Sequence, residues 1–236
     1  MNILVTGASK GIGRTIAQEL KSAKHKVFVS ARNEQALKEL KCAGYILCDL
    51  SNEYELAKLG DYIVENKIDV LINNAGEYIY SEIEKTKVNK LNHIIAVNLK
   101  APIYLTSRAV PYMKEKRFGR IINIGSISGV MGEANASLYS ATKSGLIGFT
   151  KATALELAQY GITVNTINPG WVETELGKDS IEQSEFTRDE ILDCIPQRRF
   201  VEPKEIAGMV KYLISEDAKG VTGQSVNLCA GLSVGI

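Results

Sequence analysis

The sequence is poor in the residues that build metal centres and disulfide frameworks. Its four cysteines (Cys42, Cys48, Cys194 and Cys229) form no CxxC pair, and its two histidines (His25 and His93) lie far apart. That pattern supports neither a zinc site nor a disulfide scaffold, so reduced, mostly packing cysteines and no bound metal are expected. A charge excess is also missing. With 28 basic and 27 acidic residues, the formal net charge of +1 provides no global field for nucleic acid or an anionic membrane, and a small partner is expected. No run approaches the roughly 18 apolar residues that suggest a membrane span. The opening "MNILVTGASK" lacks the basic region and apolar block of a secretory leader, so a cytoplasmic setting is expected. There is no internal repeat, low-complexity tract or linker, and one domain over residues 1–236 follows.

What is present is an alternation. The runs "NILVT", "KVFVS", "YILCD", "IDVLINN", "RIINIGS", "ITVNTIN" and "SVNLC" are rich in β-formers, and longer amphipathic stretches separate most of them. Helices are expected from about Ile12, Glu34 and Glu53, and over residues 88–115 and 138–159. Continuous apolar strands separated by helices predict an α/β fold: a doubly wound, parallel, seven-stranded Rossmann sheet with helices on both faces. The stretch "GWVETELGKDSIEQSEFTRDEILDCIPQRRF" breaks the alternation. Its mixed pattern predicts a loop with short helices, a lid over a binding site at about residues 175–200.

"TGASKGIG" lies between the first strand and the first helix, with Gly7, Gly11 and Gly13. Glycines there permit positive φ and close approach of backbone to phosphate, and the helix N-terminus adds unpaired N–H groups. The loop, with Ser9, Lys10 and Ile12 between its glycines, reads as a dinucleotide seat; a ligand-free tight turn is the alternative. A Walker loop is excluded because no GK[ST] follows. At the end of the second strand Ala31 stands where an NAD site places an acid, and Arg32 follows. The Arg32 fork and Lys10 suit a 2′-phosphate, so NADP(H) is the expected cofactor; plain solvated charges are the alternative.

In "YSATK", Tyr139 and Lys143 stand four residues apart, on one helix face with Cβ atoms roughly 5–6 Å apart. A cation there can lower the phenol pKa, although a functionless surface pair has the same spacing.

Taken together, "TGASKGIG", "NNAG" at 73–76, Asn98 in "VNL", Ser126 in "IGSISG", "YSATK" and "NPGWVET" resemble the short-chain dehydrogenase/reductase family, from Thr6 to the closing "VTGQSVNLCAG". The resemblance implies four catalytic residues. Tyr139 exchanges a proton with the carbonyl oxygen, its pKa lowered by Lys143 and the oxidised nicotinamide. Lys143 also holds the nicotinamide ribose, Ser126 polarises the carbonyl, and Asn98 holds a water beside the lysine. A turn cap (Ser126) and a residue closing a helix kink (Asn98) are the structural alternatives. The resemblance further places Asn73, Ala75 and Gly76 beside the cofactor, with Asn74 structural. It puts Asp49 and Leu50 at the adenine, with a capping Asp49 as the alternative, and Pro169, Gly170, Val172 and Thr174 at the nicotinamide amide.

Within the family, "GRIINIGSISG", "GLIGFTKATALELA" and "GITVNTINPG" are closest in texture to 3-oxoacyl carrier-protein reductases. Arg117 falls where those enzymes place a basic carrier contact, whereas Tyr160 replaces a frequent second arginine, and Cys229 and Ala230 alter the usual ending. Three readings follow: a reductase of 3-oxoacyl thioesters on acyl carrier protein or coenzyme A, a reductase of a free ketone, aldehyde, sugar or specialised metabolite, and a non-catalytic NADP-binding module. The resemblance also implies a homotetramer formed through helices 88–115 and 138–159 and the last strand.

Overall fold

Seven parallel strands form one sheet in the computed structural model, which describes residues 1–234; the last two residues of the single unit expected over 1–236 lie outside it. The strands are β1 (Asn2–Thr6), β2 (Lys26–Ala31), β3 (Gly44–Leu47), β4 (Val70–Asn73), β5 (Gly119–Ile124), β6 (Ile162–Pro169) and β7 (Ser225–Leu228), in the order β3-β2-β1-β4-β5-β6-β7. The order reverses between β1 and β4, so the connections leave toward opposite edges and open a crevice at the strands' C-terminal ends. This is the expected Rossmann architecture.

Both faces of the sheet are covered, because successive side chains of a strand point to opposite sides. Ile3 and Val5 of β1 pack with α1 (Gly11–Ser22), whereas Leu4 between them packs with α3 (Glu53–Glu65). The remaining helices are α2 (Glu34–Leu40), α4 (Val88–Ile95), α5 (Ala101–Lys116), α6 (Ser128–Met131), α7 (Ser137–Leu157), α8 (Glu175–Gln183), α9 (Arg188–Asp193) and α10 (Pro203–Ile214). α10, which the sequence patterns did not single out, covers α1 and is tied to it by a 2.9 Å bond from Lys211 to Glu19.

Two expected helices differ in detail. The one over 88–115 is interrupted by a π-turn at Ala96–Lys100 between α4 and α5. The one over 138–159 ends as α-helix at Leu157 and tightens into a 3₁₀ turn at Ala158–Tyr160. The irregular stretch holds α8 and α9, and its base is closed by a parallel bridge between Val172 and Val201. α9 begins with a complete capping box between Thr187 and Glu190, a local signal that stabilises even a helix this short.

Candidate active site

A cavity of about 880 Å³ opens at the C-terminal ends of the strands, between the glycine loop, the start of α7 and the α8–α9 segment. The glycine loop forms one end. Gly7 has φ +66°, and a Cβ on it would stand 2.7 Å from Ala75 Cα; one on Gly13 would stand 2.4 Å from both Asn74 Nδ2 and Gly7 O. Only glycine fits at either place. Asn74 braces the loop by donating to Thr6 O at 2.9 Å and Gly7 O at 3.2 Å, while Thr6 Oγ1 accepts from the backbone N–H groups of Asn74 and Ala75. No side chain caps α1, so its first N–H groups remain free to bind an anion. This cradle fits the pyrophosphate of a dinucleotide.

Gly7, Ser9, Lys10, Gly11, Ile12, Gly13 and Arg32 all line the cavity, as do Asp49, Leu50, Ala75, Gly76, Pro169, Gly170, Val172 and Thr174. Asp49 also makes the turn-capping contacts of its structural alternative. One of its oxygens accepts from Ser51 N at 2.9 Å and Ser51 Oγ at 2.7 Å, and these bonds hold the carboxyl below its ordinary pKa. The two cations expected at a 2′-phosphate both have carboxylate partners. Arg32 meets Glu77 at 3.0 Å, and Lys10 meets Glu175 of α8 at 2.8 Å. Both cations are largely exposed, so these pairs are weak and exchangeable.

Two expected site residues do not line the cavity, although Asn98 stays close to Lys143: a Cβ on Gly76 would lie 3.5 Å from Asn98 Oδ1 and 3.4 Å from Lys143 Nζ. Asn73 points into the sheet's interior, where it donates to Asn123 Oδ1 at 2.8 Å and joins a chain continuing through Thr150 to Thr166; it does not line the cavity. Its neighbour Asn74 does, because adjacent residues at a strand end face opposite ways. Asn98 is fully buried behind the wall. Its Oδ1 accepts from Glu77 N at 2.9 Å, and its Nδ2 donates to Glu77 O at 2.8 Å and Thr142 Oγ1 at 3.3 Å. Asn98 therefore sits in the π-turn and fastens it to the segment after Gly76, as its kink-closing alternative describes.

Ser126, Tyr139 and Lys143 come together on the cavity wall. Ser126 follows β5, and the other two stand on α7, which α6 approaches closely at Gly129; a Cβ there would lie 2.7 Å from Lys143 Cβ. Lys143 Nζ is 5.6 Å from the Tyr139 ring centroid and donates to Ile124 O at 2.8 Å. Burial draws the ammonium pKa down to about 8. The Tyr139 phenol goes up, to about 12, because burial outweighs a lowering hydrogen bond from Ser126 and the Glu133 charge adds to the rise. Among the chain's own groups burial decides and the phenol keeps its proton at neutral pH, so the expected lowering falls to the oxidised nicotinamide.

Sequence reasoning missed a polar network beside these residues. Tyr78 OH and Ser128 Oγ each donate to Glu133, to Oε1 and Oε2 respectively, at 2.6 Å. Ser126 Oγ donates to Ser128 Oγ at 3.1 Å and accepts from Ser128 N at 3.2 Å, so its turn-capping alternative is realised in a residue that also lines the cavity. The Tyr78 and Tyr139 rings meet edge to face with centroids 5.1 Å apart. Ser128 lies within the quoted "IGSISG" and Glu133 between it and "YSATK", and only their place between Ser126 and Tyr139 hinted at the site.

Arg117, the expected carrier contact, precedes β5, at the strands' N-terminal end, and donates to Gln159 O at 2.8 Å. The six residues of β5, about 20 Å of strand, lie between it and Ser126, so it stands at the opposite end of the sheet from this chain's own cavity. Tyr160 is nearby, under Lys114 Nζ at 4.6 Å from the ring centroid.

Among the described residues no group of three or more metal-ligating side chains occurs, and no helix is long and apolar enough to cross a membrane. The four cysteines are free thiols; burial raises Cys48 to about 12.

Known proteins share this arrangement. The model of the family described as "Enoyl-(Acyl carrier protein) reductase" matches residues 7–233. The 3-oxoacyl-[acyl-carrier-protein] reductase FabG of Salmonella typhimurium is 36% identical, covering 97% of this chain and 96% of its own. The crystal structure of a variant of actinorhodin polyketide ketoreductase with NADPH superposes with a TM-score of 0.92 at 37% identity, covering 99% of this chain and 97% of that one. YwfH, an NADPH-dependent reductase involved in bacilysin biosynthesis, gives a TM-score of 0.92 at 27% identity, covering 98% and 97%.

Proposed function

The chain belongs to the short-chain dehydrogenase/reductase family of oxidoreductases, and on that premise we propose that it reduces a ketone to a secondary alcohol with NADPH, its substrate a 3-oxoacyl thioester. The observation that carries this reading is the convergence of Ser126, Tyr139 and Lys143 on one wall of a cavity whose other end is the glycine cradle. Bound along that cradle, the cofactor supplies the hydride.

The protein supplies position and a proton. Ser126 turns its hydroxyl from Ser128 to the substrate oxygen, a donor aimed at developing negative charge. Tyr139, protonated at neutral pH, passes its proton to that oxygen. Lys143, its pKa near 8, provides a nearby ammonium that stabilises the resulting phenolate and holds the nicotinamide ribose. Asn98 acts from behind by fixing the π-turn against Thr142 of α7 and the segment after Gly76. Arg32, exchanging Glu77 for the 2′-phosphate, favours NADPH, and the α8–α9 segment serves as the lid. A cytoplasmic homotetramer belongs to the same reading.

The names of the FabG and polyketide relatives support an acyl thioester substrate. A second reading, a free ketone of specialised metabolism, draws on the YwfH likeness, on Tyr160 standing in place of an arginine and on the remoteness of Arg117 from the mouth. The presence of Ser126, Tyr139 and Lys143 together counts against a non-catalytic module. NADPH consumption with acetoacetyl thioesters and a panel of free ketones tests all three. The expected result is thioester turnover that falls at least about 1,000-fold in Tyr139→Phe; turnover unchanged by that substitution would overturn the assignment of the acid. NADP binding without turnover of any carbonyl would favour the module.

A further inference from the structure

The cavity's charges are unevenly divided. Three cations line it, and two of them, Lys10 and Arg32, belong to the cofactor end. The third, Lys143, is committed to Ile124 O. The cofactor end also holds Asp49 and Glu77, whereas the part bounded by α7 and the α8–α9 segment is lined by Glu133, Glu185 and Glu190, with Glu175 between the two. Glu175 is paired with Lys10, and Glu190 is used in the capping box of α9. Glu133 is different because it has no cationic partner among the described residues and stands within the catalytic network.

Its position follows from two hydrogen bonds in series. Ser126 Oγ lies 3.1 Å from Ser128 Oγ, which lies 2.6 Å from Glu133 Oε2, so the carboxylate is at most about 6 Å from the hydroxyl that meets the substrate oxygen. Tyr78, whose ring packs edge to face on Tyr139, holds the other oxygen at 2.6 Å. Tethered on both sides, Glu133 is held beside Ser126 and Tyr139. Each of its oxygens also keeps a lone pair free to accept a further donor.

We propose that Glu133 is a specificity-determining residue that excludes ketones carrying a carboxylate beside the carbonyl and admits neutral ones, especially those with a hydroxyl or amide N–H to donate. This deepens and rests on the reading of the site as a ketone reductase. It narrows the substrate to 3-oxo compounds whose acid is masked as a thioester, ester or amide, and it sets aside free 3-oxo acids and sugar acids. The physical reason is twofold: an anion entering this part of the cavity meets a fixed like charge in a medium of reduced dielectric, and it leaves its hydration shell with only the buried Lys143, already bonded to Ile124 O, to offset that cost.

Three substrates that share one ketone test this: ethyl acetoacetate, acetoacetamide and acetoacetate, each with NADPH, in the native chain, Glu133→Gln and Glu133→Asp. The native chain is expected to favour the ester over acetoacetate by about 100-fold in kcat/KM. Glu133→Gln, nearly isosteric and able to keep a hydrogen bond to each neighbour, should shrink that ratio about tenfold or more, chiefly through KM for acetoacetate. Glu133→Asp, which keeps the charge, should retain the discrimination, and because ester and acetoacetate are compared in the same variant, a loss common to both cancels in the ratio. If the Gln variant does not fold, Glu133→Val removes the same charge. A native ratio below about ten, or a ratio unchanged in a folded uncharged variant, would overturn the proposal. An acetoacetyl thioester assayed alongside separates the two ideas. Failure of the thioester alone would sink the thioester reading and leave the charge filter standing, whereas free acceptance of acetoacetate would sink the filter and leave the thioester reading intact.

Discussion

Lys143 carries an ammonium into the interior with one protein acceptor, Ile124 O at 2.8 Å, and its pKa falls from 10.5 to about 8. Below pH 8 the lysine is charged both folded and unfolded, so native burial costs about 3 kcal/mol. As pH rises from 8 toward 10.5 the folded chain gives up its proton first, the unfolded chain binds more protons, and the cost is progressively relieved. Lys143→Met removes the charge but leaves Ile124 O without a donor, at about 1 kcal/mol. Calorimetry at pH 7 is therefore expected to show an unfolding temperature raised by about 5 °C, an advantage that shrinks toward pH 10, while turnover is lost. Tyr139 contrasts with this. With its pKa at about 12 it is neutral throughout the physiological range, so Tyr139→Phe should leave the unfolding temperature within a few degrees while removing the proton donor. The i,i+4 spacing of this pair was legible in the sequence; the direction in which each pKa moves was not, because it depends on how much water the remaining elements exclude.

At the scale of elements, the π-turn shows what periodicity does not resolve. An apolar stripe runs on through residues 88–115, and one wider turn barely disturbs it, so the pattern reads as a continuous helix. The turn is held by Asn98 through both polar groups of Glu77's backbone and through Thr142. Asn98→Ala would leave a buried N–H and C=O unpaired, and denaturant unfolding is expected to show a loss of about 3 kcal/mol, larger than for Tyr139→Phe. Turnover should fall with it, since Thr142 adjoins Lys143. The glycine loop lies at the other extreme of legibility. Its strand–turn–helix placement is local, and the contacts that require glycine at positions 7 and 13 come from the "NNAG" segment that the sequence had already marked and, at 13, from Gly7 O as well. The misplacement of Asn73 arises one level up. Which of two adjacent asparagines faces the cavity is set by the phase of β4 against β5, where Asn73 pairs with Asn123.

Over the whole molecule, cofactor choice depends on an exchange between distant segments. Arg32 leaves β2 and meets Glu77 beyond β4, so a 2′-phosphate must compete with that carboxylate. NADPH is still expected to support turnover much better than NADH, because Arg32 is largely exposed and its pair with Glu77 is weak. Ala31→Asp with Arg32→Ile should narrow or reverse the preference in kcat/KM; equal rates with both cofactors in the native chain would defeat the assignment. Assembly is a second question at this scale. Leu155 on α7 and Ile103 on α5 are exposed at 83% and 40%, apolar surface on the two helices expected to pair. Light scattering is expected to report four chain masses, and Leu155→Glu to lower that number.

The sequence by itself determined the parallel sheet and the glycine seat, because each depends on spacing along a strand or a turn, while the resemblance its motifs carry named Ser126, Tyr139 and Lys143 as a group. Only the tertiary structure decided which groups are deprived of water, that Arg32 and Lys10 have carboxylate partners, and that Glu133 meets Tyr78 across 55 positions of chain. Charge and burial act through space, and the pattern of a chain records only distance along it.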